Sequence, residues 1–139
     1  LISAYYKKLT SRDTKTRQEA AKAWSIWEAS TSKLIQNKSL IEDFSNDKFA
    51  EAFALIECHY FINKGFFPKE DYLLDNIDTI RHIPTTIVHG RYDVVCPLKS
   101  AWSLHKSWPE AKFEIISDAG HSLSESGITK SLLKALAEY

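Results

Sequence analysis

Thr85-Thr86-Ile87-Val88-His89-Gly90-Arg91-Tyr92-Asp93 is an apolar, β-branched run that breaks at a glycine and then presents a carboxylate. Further along, Phe113-Glu114-Ile115-Ile116-Ser117-Asp118-Ala119-Gly120-His121-Ser122 repeats the device with an imidazole after the break. Residues 85–89 are apolar on both sides, as a central strand of a parallel sheet requires. Residues 112–116 provide a second strand, and the helix-length segment 97–108 joins the two, with Pro97 suited to its first turn. Strands joined through a helix run parallel, since an antiparallel pair needs only a tight turn. A closing helix is expected over 127–138, with Ile128, Leu132, Leu133 and Leu136 facing inward.

Upstream the punctuation changes. The chain holds four glycines and four prolines, and none of them precedes Gly65, so the first 64 residues are expected to be mostly helical. Helical spacing is visible in Ala20 to Glu28 and in Phe49 to Phe61, where Phe49, Phe53, Ile56 and Tyr60 share a face. Ser11 and Asp13 are candidate N-caps for the first long helix and Asp47 for the second. Residues 31–46, rich in Ser, Asn and Asp, read as a connecting stretch. Pro68 and the run Arg81-His82-Ile83-Pro84 bound a linking region with a short helix near 71–80. The organisation is therefore a helical domain over 1–80 and a β-α-β-α segment over 81–139.

The totals exclude several classes of partner. A chain of 139 residues, 44% apolar and 26% charged, is long enough for one sizeable core. Its 18 basic and 18 acidic side chains cancel, which argues against nucleic acid or an anionic membrane surface as partner. No apolar stretch approaches the roughly 20 residues that span a bilayer. Cys58 and Cys96 match no metal-binding or C-x-x-C spacing, so both read as reduced thiols in a cytoplasmic protein. No ligand cluster suggests a metal, and nothing calls for a cofactor. The sequence starts at Leu1 and contains no methionine, from which a longer product with an upstream segment is expected.

Asp93 and His121 carry the chemistry. In a Ser-His-Asp triad the histidine takes the nucleophile's proton, and the acid fixes the tautomer and stabilises the imidazolium. Strand, acid, helix, strand, histidine is the closing order of an α/β-hydrolase, in which the nucleophile comes first. Taken singly, Asp93 could cap the next helix and His121 could be a loop histidine; their order and their matching glycine breaks favour function. His59, His82, His89 and His105 lack such a context and read as core or surface residues. The G-x-S-x-G elbow that should carry the serine is absent, so the serine is expected upstream of Leu1. The expected fold class is α/β: the C-terminal part of an α/β-hydrolase, a helical cap plus the last β-α-β-α of a doubly wound sheet.

His89-Gly-Arg-Tyr-Asp93, Ala119-Gly-His-Ser122, Ala23-Trp-Ser-Ile-Trp-Glu28 and Ile56-Glu-Cys-His-Tyr-Phe61 together resemble the prolyl aminopeptidases, or proline iminopeptidases. The glycine-flanked segments are common to many α/β-hydrolases; the two helical segments are the specific part. The resemblance implies a serine hydrolase that releases an N-terminal proline from peptides, with Asp93 as acid and His121 as base. It implies that Glu28 and Glu57 hold the substrate's amine, as carboxylates can by charge-assisted hydrogen bonds. It also implies that Phe61 walls the proline pocket and that Cys96 places a thiol beside it. The rivals are another cap-bearing hydrolase, such as an esterase or epoxide hydrolase, and a non-catalytic binding module in which Asp93 and His121 are relics.

Two strands make a small sheet with an unpaired edge. The chain alone is therefore expected to expose apolar surface, to pair with the missing N-terminal half or with its own kind as a homo-oligomer, and to be inactive without the serine.

Overall fold

A computed structural model describes residues 1–138, apart from the side chain of Asp47. It divides into two compact units, one of Leu1–Ser30 with Gln36–Pro68, the other of Thr31–Ile35 with Lys69–Tyr139.

The first unit is helical, as the lack of early Gly and Pro predicts: α1 Ile2–Leu9, α2 Thr14–Thr31, α3 Lys38–Phe44 and α4 Asp47–Ile62. Asp13 starts α2 by accepting from the Thr16 amide at 2.9 Å and the Thr16 hydroxyl at 2.5 Å, which satisfies one of the orphan donors of the first turn. These bonds, the hydroxyl's first, hold the Asp13 carboxyl below its ordinary range. The stretch expected to be a connector contains α3, because Asn37 Oδ1 accepts from the Leu40 amide at 3.2 Å and opens a helix ahead of the apolar pair Leu40-Ile41. The position before α4 is Asn46, and the cap expected of Asp47 lies outside the described side chains.

Leu9, Ala20, Ala21, Trp24, Ala50, Ala54 and Cys58 form this unit's core. On α4 the buried stripe is therefore Ala50, Ala54 and Cys58, spaced one turn apart. Small side chains there allow close helix packing. The larger Phe49 and Phe53 lie on the flank and meet Phe44 of α3 edge to face, with ring centroids 4.9 and 5.4 Å from it, while Ile56 and Tyr60 are exposed.

The second unit carries β1 Thr86–Gly90, α6 Leu98–Ser107, β2 Lys112–Ile116 and α7 Ser126–Leu136, preceded by α5 Tyr72–Asp75 and a 3-10 turn at Ile77–Thr79. The strands pair in parallel, Thr86 opposite Lys112 and Gly90 opposite Ile116. Pro97 immediately precedes α6, where a missing amide costs nothing. Ile77, Trp108 and Ala111 make a small core with Ile87 and Leu104 against it. Arg81 ties the linker to the α6–β2 turn through Asp78, Glu110 and the Ser107 carbonyl.

The closing helix presents a different face from the one expected. Ile128, Ser131 and Ala135 are buried, whereas Leu133 and Leu136 are 62% and 70% exposed and Leu132 lies at the margin. The stripe at i, i+3, i+7 is the one that meets the sheet, where Ser131 donates its hydroxyl to Glu114 of β2. No described helix is long and apolar enough to cross a membrane.

Candidate active site

Asp93 sits just beyond the carboxyl end of β1, in a turn fixed by backbone bonds. The Arg91 amide donates to the Ile116 carbonyl at 2.9 Å and the Tyr92 amide to the Ala119 carbonyl at 3.0 Å. The Asp93 side chain is only 5% exposed. Its Oδ1 accepts from the Val95 and Cys96 amides at 3.0 and 2.7 Å, so the turn grips one oxygen and leaves the other for a partner. That partner is His121, whose Nδ1 stands 2.9 Å from Oδ2. A carboxylate oxygen only accepts, so Nδ1 carries the proton, and in the neutral ring Nε2 is left as the basic nitrogen. The His121 side chain is 39% exposed, open to a reacting group.

Two glycines bring acid and base together. A Cβ on Gly90 would lie 1.9 Å from the Gly120 carbonyl oxygen, so the end of β1 can touch the histidine loop only where no side chain stands. A Cβ on Gly120 would meet the Leu34 amide nitrogen at 3.0 Å. Segment 32–34 runs directly against the histidine loop: the His121 and Ser122 amides both donate to the Ser32 carbonyl, at 3.0 and 2.8 Å. Glu125 joins the two, accepting from the Gly120 amide at 2.8 Å and the Leu34 amide at 3.1 Å.

His89 is part of this site, although its sequence context gave no sign of it. Its Nε2 lies 2.9 Å from the Cys96 carbonyl oxygen and 3.5 Å from Asp93 Oδ2. A carbonyl can only accept, so Nε2 donates, and the ring braces the turn that holds the acid. The Cys96 side chain is exposed.

The remaining predicted residues lie in the helical unit. Glu28 and Phe61 line a single cavity of about 400 Å³ with Tyr5, Trp24 and Trp27. Glu57 reaches the same tryptophan, accepting from Trp24 Nε1 at 2.6 Å, and the Phe61 ring lies 6.0 Å from the Trp24 ring. Trp24 thus links all three, a role that its burial in the core disguises in the sequence. An apolar chamber with the Glu28 carboxylate at its wall, and Glu57 bonded to the Trp24 that lines it, suits a ligand with an apolar body and a cationic head. Among the described residues no group of His, Cys, Asp and Glu is placed to hold a metal ion.

A family model described as alpha/beta hydrolase fold matches residues 3–127. The chain is 59% identical over 135 residues to the "Probable proline iminopeptidase" of Leptolyngbya boryana, covering 97% of this chain and 42% of that protein. To the proline iminopeptidase of Arabidopsis thaliana it is 55% identical over 135 residues, 97% of this chain and 36% of that protein. To the one from Neisseria gonorrhoeae it is 40% identical over 139 residues, 99% of this chain and 43% of that protein. The chain therefore spans less than half the length of these relatives. An esterase from Exiguobacterium antarcticum shares the fold over 99% of this chain and 46% of its own, with a TM-score of 0.57 at 19% identity.

Proposed function

The chain belongs to the α/β-hydrolase fold family, and we propose that it supplies the acid, the base and the amine-recognising part of a serine aminopeptidase that releases N-terminal proline. The observation that carries this reading is the 2.9 Å contact of His121 Nδ1 with the buried Asp93 carboxylate, which leaves Nε2 as a base. The relatives named above are proline iminopeptidases, and the helical unit offers the carboxylates such a substrate needs. In this reading the helical unit is the cap, and the second unit is the closing part of the hydrolase core.

The serine belongs to the rest of the longer protein. His121 Nε2 takes the serine's proton as its oxygen attacks the carbonyl carbon of the substrate's first residue. Asp93 holds the ring and stabilises the imidazolium. His121 then returns the proton to the departing peptide nitrogen, leaving an acyl-enzyme. Water, deprotonated by the same nitrogen, cleaves it and frees proline and the serine hydroxyl. Glu28 and Glu57 hold the substrate's secondary ammonium, and Phe61 and Trp24 pack against its ring. The 139 residues alone, without G-x-S-x-G, are inactive. A cytoplasmic setting agrees with neither cysteine being in a disulfide.

The test compares wild type and Glu57→Gln of the complete protein on a proline arylamide and on a simple ester. Amine recognition predicts that kcat/KM falls at least about tenfold on the arylamide, the size of one charged hydrogen bond, and little on the ester. Equal losses on both substrates would point to an ester-cleaving relative. No turnover of either by wild type would remove the hydrolase reading altogether.

A further inference from the structure

Glu125 occupies the N-cap position of α7 but makes no side-chain cap to that helix. Its carboxylate turns the other way, one oxygen on the Gly120 amide and the other on the Leu34 amide. The same segment already receives the amides of His121 and Ser122 at the Ser32 carbonyl. Residues 32–34 and 120–122 are therefore stapled at both ends, and Gly120 keeps the gap open, since a Cβ there would meet Leu34 at 3.0 Å. We propose that Glu125 is a positioning residue: by clamping segment 32–34 to the histidine loop, it holds His121 in hydrogen-bond register with Asp93. The idea rests on His121 being the base, although the clamp itself can be read without any turnover.

The physical case is one of satisfaction. Two backbone amides point at one side chain, and only a carboxylate offers an acceptor to each. Glutamine has one carbonyl oxygen, so it can serve one amide while its NH2 faces the other. Alanine serves neither. Without the clamp the Gly120 end of the histidine loop loses its tie to Leu34 and is held only by the Ser32 and Tyr92 backbone bonds, and the imidazole gains freedom to swing away from the acid. The bond spans 91 residues of sequence, so no local propensity can replace it.

The experiment is NMR on the full chain, comparing wild type with Glu125→Gln and Glu125→Ala. Amide hydrogen exchange is read at Gly120, His121, Ser122 and Leu34, with Ile87 and Glu114, whose amides point into the β1–β2 ladder, as internal controls. The ring nitrogen shifts of His121 report its tautomer. In Glu125→Ala the four loop amides should exchange about tenfold faster or more, while the strand amides keep their protection. His121 should pass from a fixed Nδ1–H tautomer to a mixture, and the glutamine variant should fall between. Faster exchange with the tautomer unchanged would make Glu125 a structural staple only, and no change in either would remove the clamp. Should the alanine variant lose strand protection, the glutamine variant, which keeps one acceptor, decides alone. Failure of the peptidase assay would leave these outcomes readable.

Discussion

The carbonyl oxygen of Gly120 stands where a Cβ on Gly90 would be, 1.9 Å away, so the acid strand and the base loop touch through bare backbone. Gly90→Ala must push the two apart. Overpacking of this kind costs about 1–3 kcal/mol, and here the obstacle is main chain that cannot rotate aside. Thermal denaturation should show that loss. His121 should also lose contact with Asp93, so activity of the complete protein should fall further than the fraction unfolded explains.

Asp93→Asn keeps the shape of the acid but reverses its chemistry. Asn can still accept from the Val95 and Cys96 amides through its oxygen, so the fold should survive. Its NH2 then faces His121 Nδ1, which must become the acceptor, and the ring proton moves to Nε2. A protonated Nε2 cannot take a proton from serine. The expected loss in kcat is roughly 10³ to 10⁴-fold with a near-normal melting temperature. A loss below tenfold would show that Asp93 is no triad acid.

The two cysteines should differ sharply toward alkylating reagents. Burial pushes the Cys58 thiol up, and the neighbouring Glu57 carboxylate pushes it further the same way. The thiolate is the reactive form, so Cys58 is doubly protected, whereas the Cys96 side chain is exposed. Iodoacetamide at neutral pH, read by peptide mass mapping, should modify Cys96 at least about tenfold faster, with Cys58 reacting only once the helices are unfolded. Labelling of Cys58 at the same rate in the folded chain would contradict the packing of α4.

Asp13 makes the start of α2 sensitive to acid. The Thr16 hydroxyl and amide lower its carboxyl below the ordinary 3.8, so the folded state holds the ionised form more firmly than the unfolded chain does. That contribution is complete above pH 3.8 and is lost as pH falls through the lower folded value. Asp13→Ala should therefore melt below wild type at neutral pH, and the gap should close as pH drops under that window. A gap unchanged at strongly acid pH would show that the cap bonds are not its source.

The contrast between α7 and β1 shows which features could be read from the chain alone. A β-branched run broken by glycine is a local signal, and β1, β2 and the turns after them stand where that signal put them. Helix faces are not local. Leu132, Leu133 and Leu136 are as apolar as Ile128, yet Ser131 and Ala135 are buried beside it, because the sheet accepts small side chains at that distance. On α4 the Ala50, Ala54 and Cys58 stripe wins over the aromatic one because small side chains there let the helix pack closely against its helical neighbours. Asn37, three residues ahead of Leu40, was a readable start signal for α3, outweighed by the polar run around it.

The site divides along the same line. From the sequence by itself came the chemical types and their order: a carboxylate and an imidazole after matched strand ends, and glutamates set among aromatics in the helices. Types and spacing are properties of the covalent chain, so they can be read from it. Only the tertiary structure decided that Nδ1 of His121 meets Asp93, that His89 braces the Cys96 carbonyl, and that Glu125 reaches Leu34. Each of these is a hydrogen bond a few tenths of an ångström wide in tolerance. Such a fit depends on the parallel register that sets Gly90 opposite Ile116, and on two glycines that let the backbones meet.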